Sequence, residues 1–225
     1  MNNYKISINQ LASFSKKTER GKLGIVKQQQ KPIGAAVALY GKAKKIVAVT
    51  LINSGNKEVL NEGIEELKNI VPDTDWKIKN KTGSIDALER FSKISLPHIF
   101  YDNVFESIKV SRKNRLIVSD VQIVVSPDII IKTIIDGQAY YGAIKIHISR
   151  NDIFDKEEAK YVTTCLFQYM NDNFGKEGII LPELCLSVDV YGDNIKYAPA
   201  ETEPAMKAIK IMCQEIKQIW DKTTS

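Results

Sequence analysis

Two apolar segments constrain this chain more than anything else in it. One is Val-Val-Ser-Pro-Asp-Ile-Ile-Ile, residues 124–131; the other is Tyr-Gly-Ala-Ile-Lys-Ile-His-Ile, residues 141–148. Both read as buried strands, and Asp136-Gly137 between them is a two-residue hairpin signal. The alternation puts Ala143, Lys145 and His147 on one face of the second strand and Ile144, Ile146 and Ile148 on the other. Each strand thus carries one charge, Asp128 or Lys145, into a sheet, where a charge is costly unless something uses it. A carboxylate that holds a divalent cation, beside a lysine that positions or activates water, is one chemistry that does.

The surrounding pattern predicts an α/β fold: a mixed central sheet flanked by helices, with an N-terminal helical region. Helices are expected over 9–17, 34–47, 56–71 and 84–94, the third stopped by Pro72. Strands follow over 107–118, 121–135 and 138–149, with Arg112-Lys113-Asn114 as a turn inside the first. Asp155-Lys156-Glu157-Glu158 opens a helix with a capping-box pattern and a buried stripe of Ala159, Val162, Leu166, Tyr169 and Met170. Strands over 183–191 and 195–198 and a helix over 203–222 complete the order. The polar run Pro72 to Gly83 suggests a joint, dividing residues 1–80, mostly helical and basic, from an α/β core at 81–225; the helices are expected to pack on that same core.

A chain of 225 residues can bury one sizeable core. No stretch reaches the ~18 uninterrupted apolar residues of a membrane-crossing helix, so no membrane is expected as a partner. The start, Met1-Asn2-Asn3-Tyr4-Lys5, leads into no signal-peptide apolar run, which points to the cytoplasm. Cys165, Cys185 and Cys213 are widely spaced in apolar surroundings, and the expectation is three core thiols in a reducing compartment, not a zinc or iron–sulfur site. Phosphate loops of the GxxxxGK(S/T) or GxGxxG type and a GxSxG elbow are missing from the sequence.

Charge is uneven. Residues 16–45 hold nine bases against the single acid Glu19, a net +8, while the remainder of this +5 chain sums to −3. A field of that sign suits a polyanion, and Lys16, Lys17, Arg20 and Lys22 are the candidate nucleic-acid contacts. The bland alternative is a solvated basic face.

The order helix–β–β–β–helix–β, with Ser126-Pro127-Asp128 on one strand and Lys145 on the next, resembles the PD-(D/E)XK nuclease superfamily, in its RecB-type and restriction-endonuclease-like branch. The resemblance spans about residues 84–222. It implies a restriction-endonuclease-like core and a metal-dependent nuclease that cleaves DNA with Mg²⁺ or Mn²⁺. It implies Asp128, Glu89 and the main-chain carbonyl of Ile144 as metal ligands, and Asp128, Lys145 and Gln168 as catalytic residues. The chain departs from the pattern at Ala143, where the third core strand of the family carries an acid, and at Gln168, which Tyr169 follows directly.

Each of these residues has an ordinary reading as well. Ser-Pro-Asp closes turns, Lys145 can snorkel from a strand edge, Glu89 can be an exposed helix charge, and His147 and His98 can be a surface and a loop histidine. Ala143 favours an alternative function: a catalytically degenerate nuclease fold that binds nucleic acid or takes part in protein assembly, as a homodimer or in a larger complex. A regulatory protein without nucleic acid is the third reading, supported by the small net charge.

Overall fold

The computed structural model describes residues 3–31, 39–109 and 114–224. In chain order its elements are β1 (Lys5–Ser7), α1 (Ile8–Phe14), α2 (Glu19–Gln30), α3 (Gly41–Ile52), α4 (Lys57–Asn69), α5 (Asp75–Phe91), α6 (Ile99–Asp102) and β2 (Glu106–Ile108). They continue as β3 (Arg115–Val118), β4 (Val121–Val124), β5 (Ile129–Ile135), β6 (Gln138–His147), α7 (Lys156–Phe174), β7 (Ile179–Asp189), β8 (Asn194–Tyr197) and α8 (Glu203–Thr224).

The expected α/β class is what the chain adopts. A five-stranded sheet runs in the order β2-β5-β6-β7-β8. Its central pair β6 and β7 is parallel, joined by α7, and the other neighbours are antiparallel. The hairpin between β5 and β6 turns at Asp136 and Gly137, both at positive φ, the conformation that Asn/Asp-Gly turns supply. Gly142 sits at a register shift between β6 and β7, where a Cβ would strike the Leu184 backbone.

Side-chain alternation splits the interior into two cores. Ile130, Ala143 and Cys185 face α7, α8 and the N-terminal Leu11, Phe14 and Val26. Ile129, Ile131, Ile144, Ile146 and Leu186 face α3, α4 and α5 through Val47, Leu51, Leu60 and Leu88. Burying a Leu or Phe of this kind contributes about 1.5–3 kcal/mol. The N-terminal region is therefore not one body. Residues 3–30 cover one face of the sheet and residues 41–91 cover the other. A division at residue 80 would cut α5, which Thr74 caps by accepting from Lys77 N–H at 3.3 Å. The polar run read as a joint is the first half of that helix, with Gly83 buried inside it against Tyr40.

The strand expected over 121–135 is two strands in two sheets. β4 joins a small sheet, β1-β4-β3, while β5 joins the large one. Ser126 breaks the run with φ of 40°, and Pro127 has no N–H to give a ladder. β1 and α2 were not legible in the pattern: β1 has three residues, and α2 buries only Ile25 and Val26. The alanine-rich helix expected over 34–47 is seen as α3 from Gly41; residues 34–38 and the turn residues Arg112 and Lys113 lie outside the described residues. The capping box forms as expected, with Asp155 accepting from Glu158 N–H and Glu158 Oε2 from Asp155 N–H, each at 2.9 Å. All three cysteines are free and buried; burial pushes their thiols up, those of Cys185 and Cys213 to about 12.

Candidate functional site

Strand register brings Asp128 and Lys145 together. Ile129 pairs with Ile144, so Asp128, one residue earlier on the antiparallel strand, lies opposite Lys145. Lys145 in turn pairs with Ser187, and Ser187 with Lys196. Asp128, Lys145, Ser187 and Lys196 thus form one rung across four strands, on the face that carries Ala143. The next rung inward is Ile130, Ala143 and Cys185, all buried. That face is covered: α7 packs over it.

Asp128 is held from several sides. Its N–H donates to the Ile144 carbonyl at 2.9 Å, and its Oδ2 accepts from Ile146 N–H at 2.8 Å. Lys145 Nζ lies 3.4 Å from Oδ2 and donates to the Ser126 carbonyl at 2.6 Å. Lys44, from α3 on the opposite face, reaches over the end of the sheet to Oδ1 at 3.4 Å. The Lys145 side chain is only 12% exposed and Asp128 18%. Burial pulls the Lys145 ammonium below the usual lysine range; the Asp128 carboxylate opposes this, and the Lys44 charge adds to it.

Two clefts open at this end of the sheet. One, of about 760 Å³, is bordered by Lys44, Lys45, Lys109, Pro127 and Asp128. The other, of about 550 Å³, is bordered by Asn9, Tyr40, Lys44, His147, Arg150 and Asp152. Leu39 and Lys44 belong to both.

The remaining sequence candidates lie elsewhere. Glu89 is exposed on α5 and lines a different cleft with Asp86, Arg90 and Asp193. Gln168 lies on α7 and donates to Asp172 Oδ1 at 2.8 Å, a contact within its own helix. The Ile144 carbonyl is already accepting from Asp128. Among the described residues no three His, Cys, Asp or Glu side chains gather as a metal-holding group. One carboxylate flanked by two ammonium groups within 3.4 Å is a donor set that repels a divalent cation, so these side chains as arranged do not fit Mg²⁺ or Mn²⁺.

Three of the four basic N-terminal candidates are tied to acids of their own chain. Lys16 pairs with Glu158, whose side chain is fully buried, and with Asp155 at 3.6 Å. Lys17 lies 3.4 Å from Asp152, and Lys22 lies 2.6 Å from Glu215 and over the Phe14 ring. Arg20 is exposed on α2.

His147 is not a surface histidine. It is buried and stacked on Phe154 with centroids 3.8 Å apart; its Nε2 donates to the Asp152 carbonyl and its Nδ1 accepts from Asn9 Nδ2 at 3.4 Å. Pattern reading also missed Lys44, Ser187 and Arg150. Ser187 Oγ is buried with no hydrogen-bond partner among the described residues. Arg150 is fixed by Asp86 at 2.9 Å and by the Tyr191 hydroxyl at 3.0 Å, and Tyr191 donates to Asp86 at 2.7 Å. That hydroxyl and the Arg150 and Arg90 guanidiniums hold Asp86 below the usual carboxylate range, and burial pushes Tyr191 up to about 12. Arg150 was one basic residue among many in sequence, and only the fold puts it beside Lys44.

No protein-family model matches this chain, and no curated protein matches it in sequence.

Proposed function

We propose that the end of the sheet grips a phosphodiester of a nucleic-acid chain, DNA in the first instance. The observation that carries this is the unequal count at Asp128: Lys44 and Lys145 share one carboxylate, and Lys44 stands where two clefts adjoin. The surplus positive charge is partly withdrawn from water, where an anion's contact is worth more than on an open surface. The reading agrees with the nuclease-like sequence order and with Ala143 in place of an acid: a phosphate-holding fold whose metal centre has degenerated. Salt-dependent binding of labelled DNA in EDTA tests it. Lys44→Gln should weaken binding about tenfold and flatten the log–log salt slope. Equal binding by Lys44→Gln and parent at every salt concentration removes the centre from the interface.

A second reading is hydrolysis of the same phosphodiester, for which an incoming Mg²⁺ or Mn²⁺ would have to displace the Lys44 and Lys145 ammonium groups from Asp128. What favours it is Lys145 Nζ 3.4 Å from Asp128 Oδ2 on neighbouring strands, the pairing that the PD-(D/E)XK resemblance implies. Digestion of linear and circular DNA under a metal titration, with Asp128→Ala as comparison, decides between cleavage and binding alone.

Among the described residues no helix is long and apolar enough to cross a membrane. Three buried free thiols agree with a reducing compartment, and we propose the cytoplasm as the location.

A further inference from the structure

We infer that the ligand is a single strand, laid across both clefts with Lys44 at their junction, and that the chain prefers unpaired to paired nucleic acid. This rests on the phosphodiester reading above. Adjacency is the first support. The clefts of about 760 and 550 Å³ both have Leu39 and Lys44 in their walls, so they adjoin at the end of the sheet.

The charges along that path are the second support. Lys45 and Lys109 border one cleft, Arg150 the other, and Lys44 stands between them. Cations strung out in this way meet successive phosphates, whereas a free phosphate or a mononucleotide needs only one of these positions. The acids on the path are already engaged. Asp128 is shared by Lys44 and Lys145, and Asp152 accepts from Ser13 at 2.6 Å and pairs with Lys17. Arg150 shares Asp86 with Arg90, so that one carboxylate faces two guanidiniums, and Tyr191, over whose ring Arg150 lies at 5.4 Å, helps to hold it in place, so little ordering is needed to present it.

The third support decides between one strand and two. Apolar side chains stand open beside the cations: Leu39 is 51% exposed and Val49 46% exposed, on the same cleft as Lys45 and Pro127. A duplex turns its base faces inward and gives such a surface nothing to cover. An unpaired base has a free apolar face that Leu39 and Val49 can cover, beside a cationic groove of the kind that follows a single strand's backbone.

The experiment compares one labelled oligonucleotide, as a single strand and annealed to its complement, by fluorescence anisotropy with the full chain in EDTA over a range of salt. The single strand should bind about tenfold tighter than the duplex. Lys45→Gln should weaken single-strand binding and lower its log–log salt slope by about 0.7. Val49→Ser should reduce the preference for single strands and leave the salt slope unchanged. Both residues are exposed, so neither variant threatens the fold; thermal melts check this. Arg20→Gln, outside both clefts, should bind as the parent does. Duplex bound as tightly as single strand overturns this inference and leaves the phosphodiester reading standing. Binding of neither form at low salt overturns both.

Discussion

The lysines of the N-terminal segment and those at the end of the sheet stand in opposite charge surroundings. Lys16, Lys17 and Lys22 each have an acid of their own, drawn from Glu158, Asp152 and Glu215. Lys44 and Lys145 divide one acid between them. The sequence places its charge surplus in residues 16–45, yet in the folded chain Lys16, Lys17 and Lys22 are each paired with an acid more than a hundred residues away. A run of bases measures a field only until the fold brings acids to it. Part of the surplus that remains lies where two elements from opposite faces of the sheet converge on one carboxylate.

The largest effect expected from this contrast is on stability. Lys16→Met leaves Glu158, fully buried, with Oε2 on the capping-box N–H and no cation beside it. A charge-assisted hydrogen bond of this kind contributes about 2 kcal/mol, so the melting temperature should fall by about 4–8 °C. The hydrogen bond to Glu158 raises the Lys16 pKa in the folded chain. Its contribution is therefore complete below the unfolded lysine value of 10.5 and is lost as pH rises through the folded value. DNA affinity should not change. A Lys16→Met chain that melts like the parent but binds DNA poorly would reverse the assignment of the two regions.

Asp128→Asn sharpens the contrast from the other side. The amide oxygen can still accept from Ile146 N–H, but the charge shared by Lys44 and Lys145 is gone. If the centre holds phosphate, DNA binding in EDTA should tighten about fivefold, the worth of one solvated charge at close range. If the centre is a nuclease, Mg²⁺-dependent cleavage should disappear while binding changes little. Weaker binding in EDTA would contradict the charge argument itself.

How much of this was legible follows from distance along the chain. The Asp128–Lys145 contact was readable because a two-residue turn at Asp136-Gly137 fixes the register. Counting outward from Ile135 and Gln138 reaches Ile129 and Ile144, and then the two charged residues. Lys44 was not readable as their partner. It lies 84 residues from Asp128 on a helix whose pattern says which face is buried but not which strand end it crosses. The local pattern shows Glu158 as part of a cap, which it is, but not that Lys16, two residues beyond the end of α1, covers it. Glu89 was placed at the site from resemblance alone, and the helix that carries it turns it toward another cleft. The strand break at Ser126 was hidden because Val121 to Ile135 is apolar on both sides of Pro127, and hydropathy does not record a positive φ.

A smaller effect distinguishes Lys145 from Lys16 by the sign of its pH dependence. Burial lowers the Lys145 pKa in the folded chain, so the folded state resists its charge where the unfolded state accepts it. The cost is fully present below the folded value and is relieved as pH rises toward the unfolded 10.5. Lys145→Met removes that cost, together with the contact to Asp128. Its stability relative to the parent should therefore decline as pH rises from 7 toward 10, over a range of about 1 kcal/mol. Lys16→Met should move the opposite way above pH 10.5. Parallel pH profiles for the two variants, from chemical denaturation, would mean that the two lysines share one kind of environment and that the contrast is false.

Arg20→Gln should have the smallest effect, and it isolates the sequence argument from the structural one. Arg20 belongs to the basic run and is exposed on α2 beside Glu19, in the same turn as Lys22. It lines neither cleft at the end of the sheet. An exposed helix charge contributes within about 0.5 kcal/mol to stability, so its melt should overlay the parent's. If the folded field governs binding, DNA affinity and salt slope stay as they were, because the lost charge lines neither cleft. If the linear run of bases governs it, the slope falls by about 0.7–0.9, one contact's worth. Measured beside Lys45→Gln, which removes the same charge from the path itself, the two slopes separate a charge that is merely near others in sequence from one that the fold has placed.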